Sequence, residues 1–581
     1  MSKFSKTAAL IAAIAATALA APTGAGAAVT QTVDADTLTV TSDQESDAIT
    51  LAAAGGVLTV NGQATTLAAD RDARIIVNAD DGADTVTASA LAATDYSTLT
   101  INGGDGDDLL TGGPGNDDLR GDGGNDRVIG FRGTDDHEGG AGNDALVWNN
   151  GDGTDVMDGD AGADEVEING APTVGDVNTA VPNGSRVVFN RTNLVPFAVD
   201  LSAERLTVNG LGGDDSFNGA AGLAPLTLLS LNGGSGDDSL TGGDGPDLIT
   251  GGDGNDKLDG AGGNDRVVGD RGTDAHLGGD GNDALVWNNG DGSDVSNGDA
   301  GFDHVEINGS PAAGDAFNVR PNGARAAIDR TNLVAFTVDF TAEALTVDGE
   351  GGDDQLTVAP GLAGLLVIAD GGSGNDSLSG AEEADSLVGG AGNDTLNGGV
   401  GSDLLDGQDG DDRLLARDSQ GDLVRGGTGN DNAQTDALTV DVVDGVEAID
   451  ATPATVSDSS ALLPTLGRIR VVRTRGRLVA RVPLTCPAAE SGGCRTTLTL
   501  TTARTVRLRR VRATVVLGSR SVSLRGAQRR TLSIPLATGV AALARRGRLA
   551  TRVQIATRDA AGNTASRRVT RNLRIPRRRS N

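Results

Sequence analysis

Aspartates recur with a nine-residue period in three stretches of this 581-residue chain, and carboxylates at so regular a spacing are a donor set for a hard cation. The first stretch places them at Asp108, Asp117, Asp126, Asp135, Asp144, Asp155 and Asp164. The second has Asp238, Asp247, Asp256, Asp265, Asp274, Asp283, Asp294 and Asp303. The third has Asp376, Asp385, Asp394, Asp403, Asp412, Asp422 and Asp431. Each closes a glycine-rich turn, as in Gly103-Gly104-Asp105-Gly106-Asp107-Asp108, whose carbonyls add further oxygen. Oxygen donors with neither thiolate nor a run of imidazoles select calcium over softer metals.

The elements that must hold these carboxylates follow from the rest of the repeat. Of 22 frames, 20 keep glycine at position four and 19 are apolar at position eight. Glycine permits the positive φ of tight turns, and the residues after the aspartate form a short strand with one side chain facing inward. The core is therefore one residue thick. Turns stacked about 4.8 Å apart would bring rows of carboxylates together, so a cation is needed between them. Glu383 and Gln420 replace the position-four glycine, which makes the sites beside Asp385 and Asp422 the weakest. His137 and His276 occupy position eight of equivalent frames and read as tolerated core residues, with a zinc site as the alternative. Two-residue insertions bring Trp148 and Trp287, expected to fill an apolar gap, with a sugar-stacking platform as the alternative.

In these frames the sequence resembles the RTX, or haemolysin-type, calcium-binding repeats, with consensus G-G-x-G-x-D-x-U-x. The resemblance implies an all-β fold: a parallel β-roll with two nonapeptides per turn and calcium between turns. It implies too that the 22 position-six aspartates and the turn carbonyls are the ligands. If each block loses about two sites at its ends, roughly 16 ions are bound. Unlike the family's toxins and hydrolases, this chain starts its repeats near residue 80 and leaves no long upstream stretch for a catalytic domain. There is no H-E-x-x-H and no G-x-S-x-G, so a non-enzymatic protein is expected, with a hydrolase or lyase as the weaker alternative.

Composition agrees with a thin core: Gly 87, but Phe 9, Trp 2 and Tyr 1. The net charge of −34 divides into about −60 before residue 464 and about +26 after it, where 28 arginines stand against Glu490 and Asp559. Lys3, Lys6 and the apolar run Ala8 to Ala21 read as a signal peptide too short to span a bilayer, which places the mature protein outside the cell. The expected organisation is a signal peptide at 1–27, a β-rich cap at 28–102, repeat blocks at 103–170, 233–309 and 371–450, spacers at 171–232 and 310–370, a linker at 451–464, and an arginine-rich antiparallel β-sandwich at 465–581. Asp559-Ala560-Ala561-Gly562-Asn563 resembles a turn of bacterial Ig-like modules, and Cys486 and Cys494 are expected to form a disulfide. The arginines point to an anionic envelope polymer or to the chain's own acidic repeats as partner, which makes a surface-attached adhesion or matrix protein the second functional reading. With no aromatic residue after 464, nucleic acid is not expected.

Overall fold

The computed structural model describes residues 29–436, 440–451 and, from 465 to 575, most strands with some of their connections. The signal peptide expected at 1–27 and the linker beyond 451 lie outside the described residues. Every regular element described is a β-strand. The chain divides into two compact units, one comprising residues 1–286 and 290–303, the other 287–289 and 304–581.

In the first repeat block successive strands alternate between two parallel sheets. Arg127–Ile129 pairs with Leu109–Thr111 on one side and Ala145–Asn149 on the other. Asp117–Gly123, in the facing sheet, lies between Thr98–Asp105 and Asp136–Gly142. One coil therefore uses two nonapeptides, and position eight stacks on position eight: Leu110, Val128 and Leu146 in one column, Leu119, His137 and Met157 in the other. These side chains are all fully buried, so the two apposed columns form the thin core of these coils. That geometry explains why a chain with so few aromatics can fold.

The turns are fixed by glycine where no other residue fits. At position four, Gly124 and Gly142 have φ of 139° and 152°, and a methyl on either would collide with the carbonyl oxygen of the coil before. Position two needs only the ordinary left-handed region, and Asp122 (φ 71°) and Asp160 (φ 64°) occupy it. The consensus glycine at two is thus dispensable.

The spacers do not interrupt the stack. Val177–Asn183, Arg186–Arg191 and Phe197–Ser202 form an antiparallel meander inside one sheet. Its outer edges run parallel to Asp155–Gly162 and Ser216–Gly219. The facing sheet continues through Glu165–Asn169, Arg205–Asn209 and Leu228–Ser235. In the second unit the meander recurs as Ala316–Asn322, Arg325–Arg330 and Phe336–Thr341, followed by the third block up to Ala448–Ala451.

From residue 465 the second unit holds, among the described residues, two four-stranded antiparallel sheets and a two-stranded ribbon, Val506–Leu508 with Val511–Ala513. In one, Arg477–Thr485 lies between Arg470–Thr474 and Arg529–Pro535. In the other, Cys494–Thr502 lies between Val516–Leu524 and Arg548–Asp559, with Thr564–Arg574 alongside. Alternate residues such as Ala480, Val482, Leu498, Leu500, Val553 and Ile555 meet in one shared core, as the alternation of arginine and threonine with aliphatic residues requires. The Cys486–Cys494 disulfide and the Asp559 to Asn563 turn lie outside the described residues, since neither the Cys494 side chain nor Cys486 is among them.

Candidate metal centres

All 22 position-six aspartates sit at the ends of turns with side chains buried. Within each block the peptide N–H of most of them donates to Oδ1 of the equivalent aspartate one coil on, which links them into ladders. In the first block Asp108 donates to Asp126, Asp126 to Asp144 and Asp144 to Asp164 at 2.8–2.9 Å. On the other side Asp117 donates to Asp135 and Asp135 to Asp155. The second block carries Asp238, Asp256, Asp274 and Asp294 in one ladder and Asp247, Asp265, Asp283 and Asp303 in the other. The third joins Asp376, Asp394, Asp412 and Asp431, and opposite them Asp385, Asp403 and Asp422.

Only one carboxylate oxygen is used in this way. Oδ2 of Asp108, Asp126, Asp144, Asp164, Asp238, Asp256, Asp376, Asp394, Asp412 and others is buried without a hydrogen-bond partner. Each oxygen named lies against the position-one glycine of its own frame: a methyl on Gly103 would collide with Oδ2 of Asp108 and would stand 2.7 Å from the carbonyl oxygen of Gly121. Unsatisfied carboxylate oxygens converging with glycine carbonyls are a hard, all-oxygen donor set, and calcium fits it.

The electrostatics agree. Burial, reinforced by the neighbouring carboxylates, pushes Asp108 up to about 7, Asp135 to about 9 and Asp265 to about 7. In the third block burial and the charge of Asp385 raise Asp403 to about 9, and burial with Asp403 and Asp441 raises Asp422 to about 10. Left to themselves, these rows resist ionisation.

Several members of the ladders escape a nine-residue search. Asp47 donates to Asp84 and Asp84 to Asp108, although 37 and 24 residues separate the pairs. Asp176 and Asp215 lead into Asp238, and Asp315 and Asp354 into Asp376, at equally irregular spacings. Asp441 follows Asp422, while Glu204 and Glu447 accept from Asp164 and Asp431. Tyr96 closes the other side by donating to Oδ2 of Asp117 at 3.4 Å. Only the degenerate copies around Asp84, Asp215 and Asp354 leave a trace in the sequence.

Two spacer aspartates have a cation of their own. Arg191 pairs with Asp176 and Arg330 with Asp315, each at 3.2 Å and each fully enclosed. Arg191 lies over the rings of Trp148 and Phe197, which stack at 3.7 Å, and Arg330 lies likewise over Trp287 and Phe336. Both tryptophans are buried to within 1 %, so they fill an apolar gap, and the sugar-platform alternative is set aside because no ring face reaches solvent.

Comparison with known proteins accords with this geometry. The family model described as RTX calcium-binding nonapeptide repeat (4 copies) matches residues 100–128, 111–146, 232–267, 370–405 and 379–414, within all three blocks. No curated protein matches the chain. Among the described residues no helix is long and apolar enough to cross a membrane. The chain carries RTX calcium-binding nonapeptide repeats, wound into a parallel β-solenoid that presents their aspartates in buried ladders.

Proposed function

We propose that this is a secreted, non-enzymatic protein whose repeat blocks fold into β-rolls on binding extracellular calcium, with the 22 position-six aspartates as ligands. The observation that carries it is the row of buried Oδ2 atoms without hydrogen-bond partners along every block. Buried charge of that density needs a cation, and extracellular calcium at roughly 10⁻⁴ to 10⁻³ M matches modules built from such sites. Circular dichroism during a calcium titration tests this: a β signal should appear as calcium is added and vanish with chelator. A β signal unchanged by chelator would refute calcium-dependent folding.

A second reading has the arginine-rich sheets as an attachment module. Within the second unit, Arg552, Arg568 and Gln554 line a cleft together with Asp403 and Asp422 of the third block. This favours the chain's own repeats as the anionic partner over a foreign envelope polymer. Binding of the full chain and of a chain ending at Ala461 to isolated cell envelopes separates them. Equal retention would count against attachment through the arginines.

A further inference from the structure

Two of the chain's 3 histidines occupy position eight, a place that 19 of the 22 frames give to an apolar residue. His137 stands in the inner column between Leu119 and Met157, and His276 between Leu258 and Ser296. An imidazole there loses its hydration. Neither nitrogen of His137 has a hydrogen-bond partner, and the side chain is 0 % exposed. His276, 1 % exposed, has Nδ1 at 3.1 Å from the Ser296 hydroxyl, while its Nε2 has none. A buried polar atom without a partner costs about 1–3 kcal/mol. Leucine would avoid that cost, so the histidines demand a reason.

The reason lies beside them. Donor atoms of Asp135, His137 and Asp155 all fall within 4.8 Å of one another, and so do those of Asp274, His276 and Asp294. All six side chains are buried, and Oδ2 of each of the four aspartates has no hydrogen-bond partner. At Gly130 and Gly269 a methyl would strike both Nε2 of the histidine and Oδ2 of the position-six aspartate, so the two donors converge over one glycine. The module duplicated 139 residues on keeps the same histidine and both aspartates.

We propose that Asp135-His137-Asp155 and Asp274-His276-Asp294 are two sites for a borderline divalent metal of the zinc class, so that these four aspartates, counted above among the calcium ligands, serve zinc instead while the other position-six aspartates keep calcium. One imidazole and two carboxylates are a donor set that zinc takes and that calcium, wanting six to eight oxygens, does not favour. Zinc ligands in a tetrahedral site stand about 3.4 Å apart, so donors up to 4.8 Å apart must close in by as much as about 1.4 Å on binding. At His276 the Ser296 hydroxyl can accept from Nδ1–H, fixing the tautomer that leaves Nε2 free to ligate. Met157 stands where Ser296 does in the other module, so the site at His137 is the weaker of the two.

The test uses the full chain in saturating calcium, dialysed to equilibrium against zinc, with both metals counted by mass spectrometry. Two zinc ions per chain should be retained, and none by the H137L/H276L variant, which restores the residue that neighbouring frames carry. S296A should weaken one zinc about 10-fold and spare the other. Cobalt(II) as a probe should give a visible d–d band in the parent chain alone. Absence of zinc from the parent chain, or equal retention by the double variant, would overturn the proposal. Calcium content, read in the same samples, reports separately on the surrounding repeats.

Discussion

Arg191 donates from Nη1 to Oδ1 of Asp176 at 3.2 Å, with the two side chains 4 % and 0 % exposed. Asp176 begins the ladder that runs through Asp215 into the second block, so a guanidinium neutralises the row where no repeat precedes it. Arg330 does the same for Asp315 at the head of the third block. With a protein cation already at Asp176 and Asp315, these coils should hold without calcium. Arg191→Met should leave Asp176 buried without its charge partner and cost about 3–5 kcal/mol. In limited proteolysis with chelator present, the spacer of the parent chain should resist cleavage and that of the variant should not. Equal cleavage of the two would refute this role.

The calcium-free chain should gain structure on acidification. Asp108, Asp135, Asp265, Asp403 and Asp422 have folded values of about 7, 9, 7, 9 and 10 against an ordinary 3.8. A carboxyl raised on folding favours the folded state most fully below its unfolded value, and that stability is lost as pH rises through its folded value. The window is therefore about pH 4 to 10. In chelator the β signal should be stronger at pH 4 than at pH 8, whereas in calcium the metal competes with protons and binding should weaken toward pH 4. Circular dichroism at both pH values, with and without calcium, reads all four states.

How much of this was legible in the sequence depends on which physical demand set each residue. Asp126 or Asp394 must stand nine residues from its neighbours because the coil has a fixed length, so period alone finds it. Asp47, Asp176 and Asp315 obey the same stacking rule, yet intervening loops and meanders set their spacing, and no period marks them. The Arg191–Asp176 pair joins residues of one meander across its fold, a relation that R-T-N-L-V does not display until the strands are paired. His137 shows the limit most clearly. Position eight predicts a core residue, and burial is what the structure provides; only the distance to Asp155, 18 positions further along the sequence, turns it into a donor.

Gly142 at position four should be irreplaceable where the backbone takes a positive φ against the preceding coil, and Asp122 at position two should not be. Gly142→Ala would force φ 152° on a side chain that collides with the Gly124 carbonyl, and should cost about 3 kcal/mol or more. Asp122→Gly relieves a left-handed aspartate at φ 71° and should change stability by no more than about 1–2 kcal/mol, in the favourable direction. Thermal unfolding in saturating calcium distinguishes the two. Comparable losses would mean that the turn tolerates another conformation.

The ladders also make one substitution act with opposite signs. Oδ1 of Asp126 accepts from the Asp108 peptide at 2.8 Å, and an asparagine there keeps that acceptor. What it removes is the buried anionic Oδ2, whose burial pushes the group up to about 6. Asp126→Asn should therefore stabilise the calcium-free chain by about 1 kcal/mol, because a buried like charge is gone. In calcium it should bind fewer ions and melt at a lower temperature than the parent, because a ligand is gone too. Paired melting curves in chelator and in calcium give the result. A change of the same sign in both would mean that Asp126 serves the backbone alone and that its second oxygen holds no ion.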